Sequence, residues 1–150
     1  MLKRIASILG LALLAAAALS SPVQAEGGSS IASAPAVRFG QLETGDTANG
    51  LPTDSQVLSL WKLNVKAGDT VTIDWKAARG TNVEVFPQGT SDYTLAKATP
   101  LHRSGIGSTG KSQFKFVASK AGVMPLAFEC LTVYGAPYSF TARVRHWNPR

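Results

Sequence analysis

Between Val57 and Trp75 apolar and polar positions alternate with a period of two. Val57, Ser59, Trp61, Leu63 and Val65 fall on one face, and after an interruption Val71, Ile73 and Trp75 do the same. This alternation marks strands with one buried face, and their β-branched and aromatic residues suit a pleated surface. The interruption is Lys66-Ala67-Gly68-Asp69. Gly68 can take a positive φ at no steric cost, and Asp69 can bond nearby backbone, so the segment reads as a turn. The pattern predicts a β-hairpin, and the rest of the chain is organised around it.

Weaker alternation at Val37, Phe39 and Gln41 predicts a first strand over Val37 to Leu42. Glu43 to Ser55, with Gly45, Asn49-Gly50 and Pro52, reads as a loop. Thr81 to Phe86 reads as a short strand with Val83 and Val85 inward, ended by Pro87-Gln88-Gly89. Ser91 to Gly110 is the least patterned stretch. Tyr93 and Leu95 could start a strand there, but Pro100, Gly105, Gly107 and Gly110 break any continuation. It is predicted to be a long exposed loop, and such loops often carry binding function. Further strands are predicted over Ser112 to Ala118, Val123 to Val133 and Tyr138 to Val144, with turns at Ser119 to Gly122 and Tyr134 to Pro137. Pro125 suggests an edge or bulge position. After the first 25 residues no stretch shows a helical period. The prediction is an all-β chain, an antiparallel β-sandwich of jelly-roll-like type with about eight strands.

The first 25 of the 150 residues change the picture of where the protein works. Lys3 and Arg4 precede an apolar run from Ile8 to Leu19, and Val23-Gln24-Ala25 has the small residues of a cleavage site. This is the pattern of a secretory signal peptide, and the run falls short of the about 20 residues that span a bilayer. No cysteine stands at the leader's end for a lipid anchor. The expectation is a secreted or periplasmic protein with a flexible start over residues 26–35, a sandwich over 36–147 and a tail over 148–150. No stable membrane insertion is expected after cleavage.

Without Lys3 and Arg4 the chain keeps 13 basic against nine acidic side chains, a formal charge of +4. That bias suits anionic envelope polymers or membrane surfaces. The charges form no stripe along one segment, so nucleic acid is not an expected partner. Lys111, Lys115 and Lys120 are the densest group and read as a charged strand edge. Cys130 is the single cysteine and rules out an intrachain disulfide. It shares the parity of Met124, Leu126 and Phe128, which predicts a buried thiol; a bridge between two chains is the alternative.

The strand-and-turn patterns resemble the bacterial pre-peptidase C-terminal domain family. They are Trp61-x-Leu63-x-Val65-x-Ala67-Gly68-Asp69-Thr70-Val71, Val83-x-Val85-Phe86-Pro87-x-Gly89, Phe114-x-Phe116-x-Ala118, Ala121-Gly122, Leu126-x-Phe128 and Tyr138-x-Phe140-x-Ala142-x-Val144. The resemblance implies a non-catalytic attachment domain of the kind that binds calcium, collagen or polysaccharide. Ser59 and Asn82 stand near places where that family often has acids, so calcium is not expected. The chain is also similar to the small periplasmic inhibitors of goose-type lysozyme, which share an exported, free-standing β-sandwich.

Candidate chemistry is sparse. Glu43, Asp46 and Asp54 lack the alternate spacing of a calcium loop. His102, Met124, Cys130 and His146 are copper-ligand types in an order unlike a cupredoxin, and zinc has too few ligands. Ser104 after His102 lacks a nucleophile elbow. Asp74, Glu84 and Asp92 give no sign of converging as glycosidase carboxylates. No enzyme, metal or cofactor is therefore expected. Trp61 and Trp75 have core parity. Trp147, beside Arg145, His146 and Arg150, could stack on a sugar, dock a protein or pack back on the sandwich. Tyr93, His102, Arg103 and Tyr134 complete the candidate contacts. The expected role is non-catalytic binding of an envelope polysaccharide or an exported protein, through the Ser91 to Gly110 loop or the C-terminal tail. The alternatives are inhibition of an exported hydrolase such as lysozyme, or a small secreted hydrolase.

Overall fold

A computed structural model describes residues 27–47, 51–53, 56–104, 110–130 and 136–148. The leader, its cleavage site, Asp54 and Tyr134 lie outside these residues. Nine strands and one short helix are described, in chain order: β1 (Leu42–Asp46), β2 (Leu51–Thr53), β3 (Gln56–Val65), β4 (Thr70–Ala77), β5 (Thr81–Val85), α1 (Asp92–Leu95), β6 (His102–Arg103), β7 (Gly110–Val117), β8 (Gly122–Cys130) and β9 (Pro137–Arg145). They form an antiparallel sandwich of a four-stranded sheet, β1-β9-β4-β7, and a five-stranded sheet, β2-β3-β8-β5-β6. From β3 to β5 and again from β7 to β9 the chain changes sheet at every connection, as in jelly-roll folds.

That alternation corrects the predicted hairpin. β3 and β4 are both strands, but β3 pairs with β2 and β8 while β4 pairs with β7 and β9. Lys66 to Asp69 is therefore an arch from one sheet to the other. Gly68 has φ +84°, and the Asp69 carboxylate accepts the Lys66 N–H at 2.8 Å. Ser119 to Ala121 makes a second arch, from β7 to β8. The arches are tied together, because Ala118 accepts from the Gly68 N–H and donates to the Asp69 carbonyl, both at 2.8 Å.

Side chains of the expected parity fill the space between the sheets. Trp61, Leu63, Val65, Val71, Ile73, Trp75, Val83, Val85, Leu126, Phe128, Phe140 and Ala142 form one buried cluster. Burying a side chain of this size contributes about 1.5–3 kcal/mol. Cys130 is buried at the end of the same row. Near the middle of the cluster, polar atoms partner one another. The Trp61 indole N–H donates to the Tyr138 hydroxyl at 2.8 Å, and that hydroxyl shares a second bond with Ser59.

A smaller cluster lies outside the five-stranded sheet. Leu58, Leu60, Ala127 and Phe86 are covered by Ala34 of the N-terminal segment and Leu95 of α1. The segment over 27–37 lies along β3, with bridges Gly28 to Leu60 and Ala36 to Lys62, so the described part of the start expected to be flexible over residues 26–35 is instead built into the fold.

Other expectations change as well. The first strand is β1 rather than Val37 to Leu42, because Gly40 at φ +83° turns the chain before the strand starts. The expected loop over Glu43 to Ser55 thus contains β1 and β2. Within Ser91 to Gly110, Tyr93 and Leu95 are helical, since Thr94 Oγ1 accepts the Ser91 N–H at 2.9 Å and caps a turn; β6 comes next. The strand predicted over Val123 to Val133 runs Gly122–Cys130, and 131–133 lie outside the described residues. Pro125 sits in a central strand, not at an edge. Its register partner Lys62 turns both backbone groups away, to Pro35 and Val37. The missing N–H of Pro125 then faces the end of β5, where only its carbonyl is used, accepting from Phe86 at 2.9 Å.

Candidate functional site

One sheet face is covered and the other is open. Among the described residues, nothing packs over the outside of β1-β9-β4-β7. Cross-strand register sets its surface in rows, with neighbours in a row about 4.8 Å apart from strand to strand. Leu42, Thr141, Asp74 and Gln113 make one row. Thr44, Ser139 and Lys76 make the row on one side of it; Arg143, Thr72 and Lys115 make the row on the other. Arg145, Thr70 and Val117 lie beyond, at the arch end. These are the outward positions of strands whose inward positions build the core, so the core pattern dictates the face.

A groove of about 510 Å³ crosses the middle of this face, lined by Leu42, Asp74, Lys76, Gln113, Thr141 and Arg143 among others. A second groove shares Lys76 and Ser139 with it and continues past Thr44 to Asp46 and Pro137. Arg143 reaches Asp74 at 2.8 Å, and the Gln113 amide donates to the same carboxylate. The central polar groups are thus held in place across three strands.

At the arch end the face becomes apolar. Trp147 is 66% exposed and Val117 64% exposed. With Ala67, Gly68 and Thr70 they line a shallow depression of about 370 Å³. The indole is not a loose tail. A Cβ placed on Gly68 would lie 3.0 Å from Trp147 Cβ, so the bare glycine makes room for the tail to lie flat on the arch. Next to it His146 Nδ1 stands 2.9 Å from Asp69 Oδ1. Asp69 is held below the usual carboxylate range, first by the Lys66 N–H and then by His146.

The sequence candidates do not meet. Trp147 lies at the arch end of the open face. Tyr93 is 89% exposed on α1, which belongs to the covered side of the sandwich. His102 lies on β6, where its ring centroid is 5.1 Å from that of Phe116 and 6.0 Å from that of Phe114. It closes the open side of the sandwich between the two edge strands and is not a loop histidine. Arg103 pairs with the buried Glu84. Ser104 Oγ is occupied as acceptor of the Val83 N–H at 2.7 Å.

The weighed carboxylates also stay apart. Asp74 is on the open face. Glu84 is on the opposite side, its pKa raised by burial and then by Glu129. Asp92 accepts the Ile31 N–H at 2.5 Å. Glu43 is buried and bound twice by the Arg38 guanidinium, at 2.9 and 2.8 Å. Met124 and Cys130 are six residues apart along β8, about 20 Å.

No protein-family model and no curated protein matches the chain. Among solved structures the fold has a clear counterpart. It is similar to Aeromonas hydrophila PliG, a periplasmic lysozyme inhibitor of g-type lysozyme. The match has a TM-score of 0.56 at 17% identity and covers 81% of this chain and 100% of PliG. At that identity the likeness to PliG is one of fold. A lesser likeness, TM-score 0.39 at 17% identity, covers 67% of this chain and 64% of a CBM4 chain. The sequence singles out Trp147, which lies at the arch end of the open face, and does not point to the groove. The polar set Ser139, Thr141, Arg143 and Arg145 was the available signal, since it alternates with the core residues of β9.

Proposed function

We propose that this is an exported, non-catalytic binding protein whose partner is another protein, docked at the arch end through Trp147. The observation that carries the reading is a large, exposed indole seated on a rigid backbone. Its neighbour Val117 is equally exposed, and the exposed polar side chains of Lys66, Arg145 and His146 stand beside it along the arch and the end of β9. An apolar anchor inside a polar rim is the anatomy of a protein-binding hot spot. Its conformational entropy is already spent, because Gly68 and the arch fix the tail before any partner arrives. The signal-peptide pattern of the first 25 residues supports a partner outside the cytoplasm.

A narrower reading makes the partner an exported hydrolase that this protein inhibits. The likeness over the whole length of PliG, an inhibitor of g-type lysozyme, favours it. Immobilised protein lacking the leader would be incubated with purified g-type lysozyme and, separately, with envelope extract. Stoichiometric capture of lysozyme with loss of its activity supports the inhibitor. Capture of a different protein, lost in Trp147→Ala, supports the general reading alone. Capture that survives Trp147→Ala refutes the docking site, and no protein capture refutes the proposal.

A further inference from the structure

The open face of the four-stranded sheet carries more positive charge than its role as a sheet requires. Its described outward side chains include Lys76, Lys115, Arg143 and Arg145 against Asp46 and Asp74. Asp74 is already taken by Arg143 and Gln113. Lys76, Lys115 and Arg145 form no ion pair among the described residues, and Lys111 holds the register position opposite Lys76. The outer face of the five-stranded sheet is balanced instead, with Glu84 and Glu129 against Arg103 and Lys62. The net positive charge therefore lies on the open face, which also carries the two grooves.

We infer that this face binds an acidic polysaccharide, a glycan chain bearing carboxylates. Three features select that occupant. The two grooves share Lys76 and Ser139 and so form one elongated track, which suits a chain better than a single small molecule. Between the cations the track presents hydroxyls and an amide, from Thr44, Ser139, Thr141 and Gln113, that can bond sugar hydroxyls. The Arg143 guanidinium, now ion-paired with Asp74, has further N–H groups that a carboxylate can accept. Other polyanions fit less well. Among the described residues, the track's aromatic rings are buried and leave none on which bases could stack. Leu42 is the one large exposed apolar side chain described along it, too little to enter a lipid interface. Opposite charge in a groove also raises the local concentration of an acidic polymer and speeds its capture.

This inference is independent of the protein partner and uses different residues from Trp147. The test is retardation of the leaderless protein in native gels containing polygalacturonate, with neutral dextran gels in parallel. Phosphatidylglycerol vesicles and a mixed-sequence DNA duplex are assayed by sedimentation and gel shift. The expected result is retardation by polygalacturonate alone, weakened about tenfold on raising salt from about 20 to about 500 mM. Lys76→Gln/Lys115→Gln/Arg143→Gln should lose it at least about tenfold with the circular dichroism melt unchanged, since all three are exposed. Equal retardation by dextran, preference for vesicles or DNA, retention by the triple variant, or no retardation each overturns the inference.

Discussion

His146 Nδ1 lies 2.9 Å from Asp69 Oδ1, which pins the end of β9 to the first arch. Asp69 also accepts the Lys66 N–H across the turn, so one buried carboxylate holds the arch and the tail together. Its folded pKa is lowered, chiefly by that backbone bond and then by His146. A lowered carboxylate pKa gives stability that is present above the unfolded value, about 3.9, and is lost as pH falls through the folded value. Melting temperature should therefore drop below about pH 4. Asp69→Asn should melt lower than wild type at pH 6, and the two curves should converge in acid. Parallel curves from pH 6 to pH 2 would refute the assignment.

Glu84 has the opposite sign. Burial first, and Glu129 second, raise its pKa, against the pull of Arg103. A raised carboxylate pKa favours folding below the unfolded value, about 4.3, and that contribution is lost as pH rises through the folded value. Arg103 is 58% exposed, so the pair offsets little of the burial cost. Glu84→Gln should raise the melting temperature at pH 7 and gain less at pH 4. A variant that melts lower than wild type at pH 7 would show that the Arg103 pair outweighs burial.

These pairings escaped the sequence for a physical reason. Val57 to Trp75 alternates correctly and folds as two strands, yet alternation is the same in a hairpin and in an arch. Only the partners distinguish them, and those lie elsewhere: Met124 for Leu63, and Phe114 for Ile73. A local hint existed, since Leu58 and Leu60 are apolar on the other parity of β3 and need a second cover. β1 hid because its core position is Glu43, whose partner Arg38 precedes the turn at Gly40. β9 was legible throughout, inside and outside, because no charged residue interrupts its buried row. Trp147 was legible as a type, while its support by Gly68 required the fold.

Tyr138 links core and sheet by one hydroxyl. It accepts from Trp61, bonds Ser59 and stacks on Phe128 with ring centroids 3.9 Å apart. Tyr138→Phe keeps the stack but strips two buried polar groups of their partner. The expected cost is about 1–3 kcal/mol in urea unfolding with an unchanged m-value. Trp61 fluorescence should shift as its N–H loses the acceptor. A loss within error of zero would mean that Ser59 and Trp61 find other partners.

Gly68 and Gly89 provide a controlled pair. Both have φ of +84°, so alanine at either must adopt a left-handed conformation, costing about 1–2 kcal/mol. Their surroundings differ. A Cβ at Gly89 meets nothing within 4 Å, whereas one at Gly68 meets Trp147 Cβ at 3.0 Å and its ring at 3.2 Å. Both alanine variants should lose stability, Gly68→Ala by the larger amount. Gly68→Ala should also change Trp147 emission and weaken partner capture, because the added methyl lifts the indole from the arch. Gly89→Ala should leave emission and capture unchanged at matched folded fraction. If the two variants behave alike in capture, the seat of Trp147 on Gly68 has no part in recognition, and the tail binds by exposure alone.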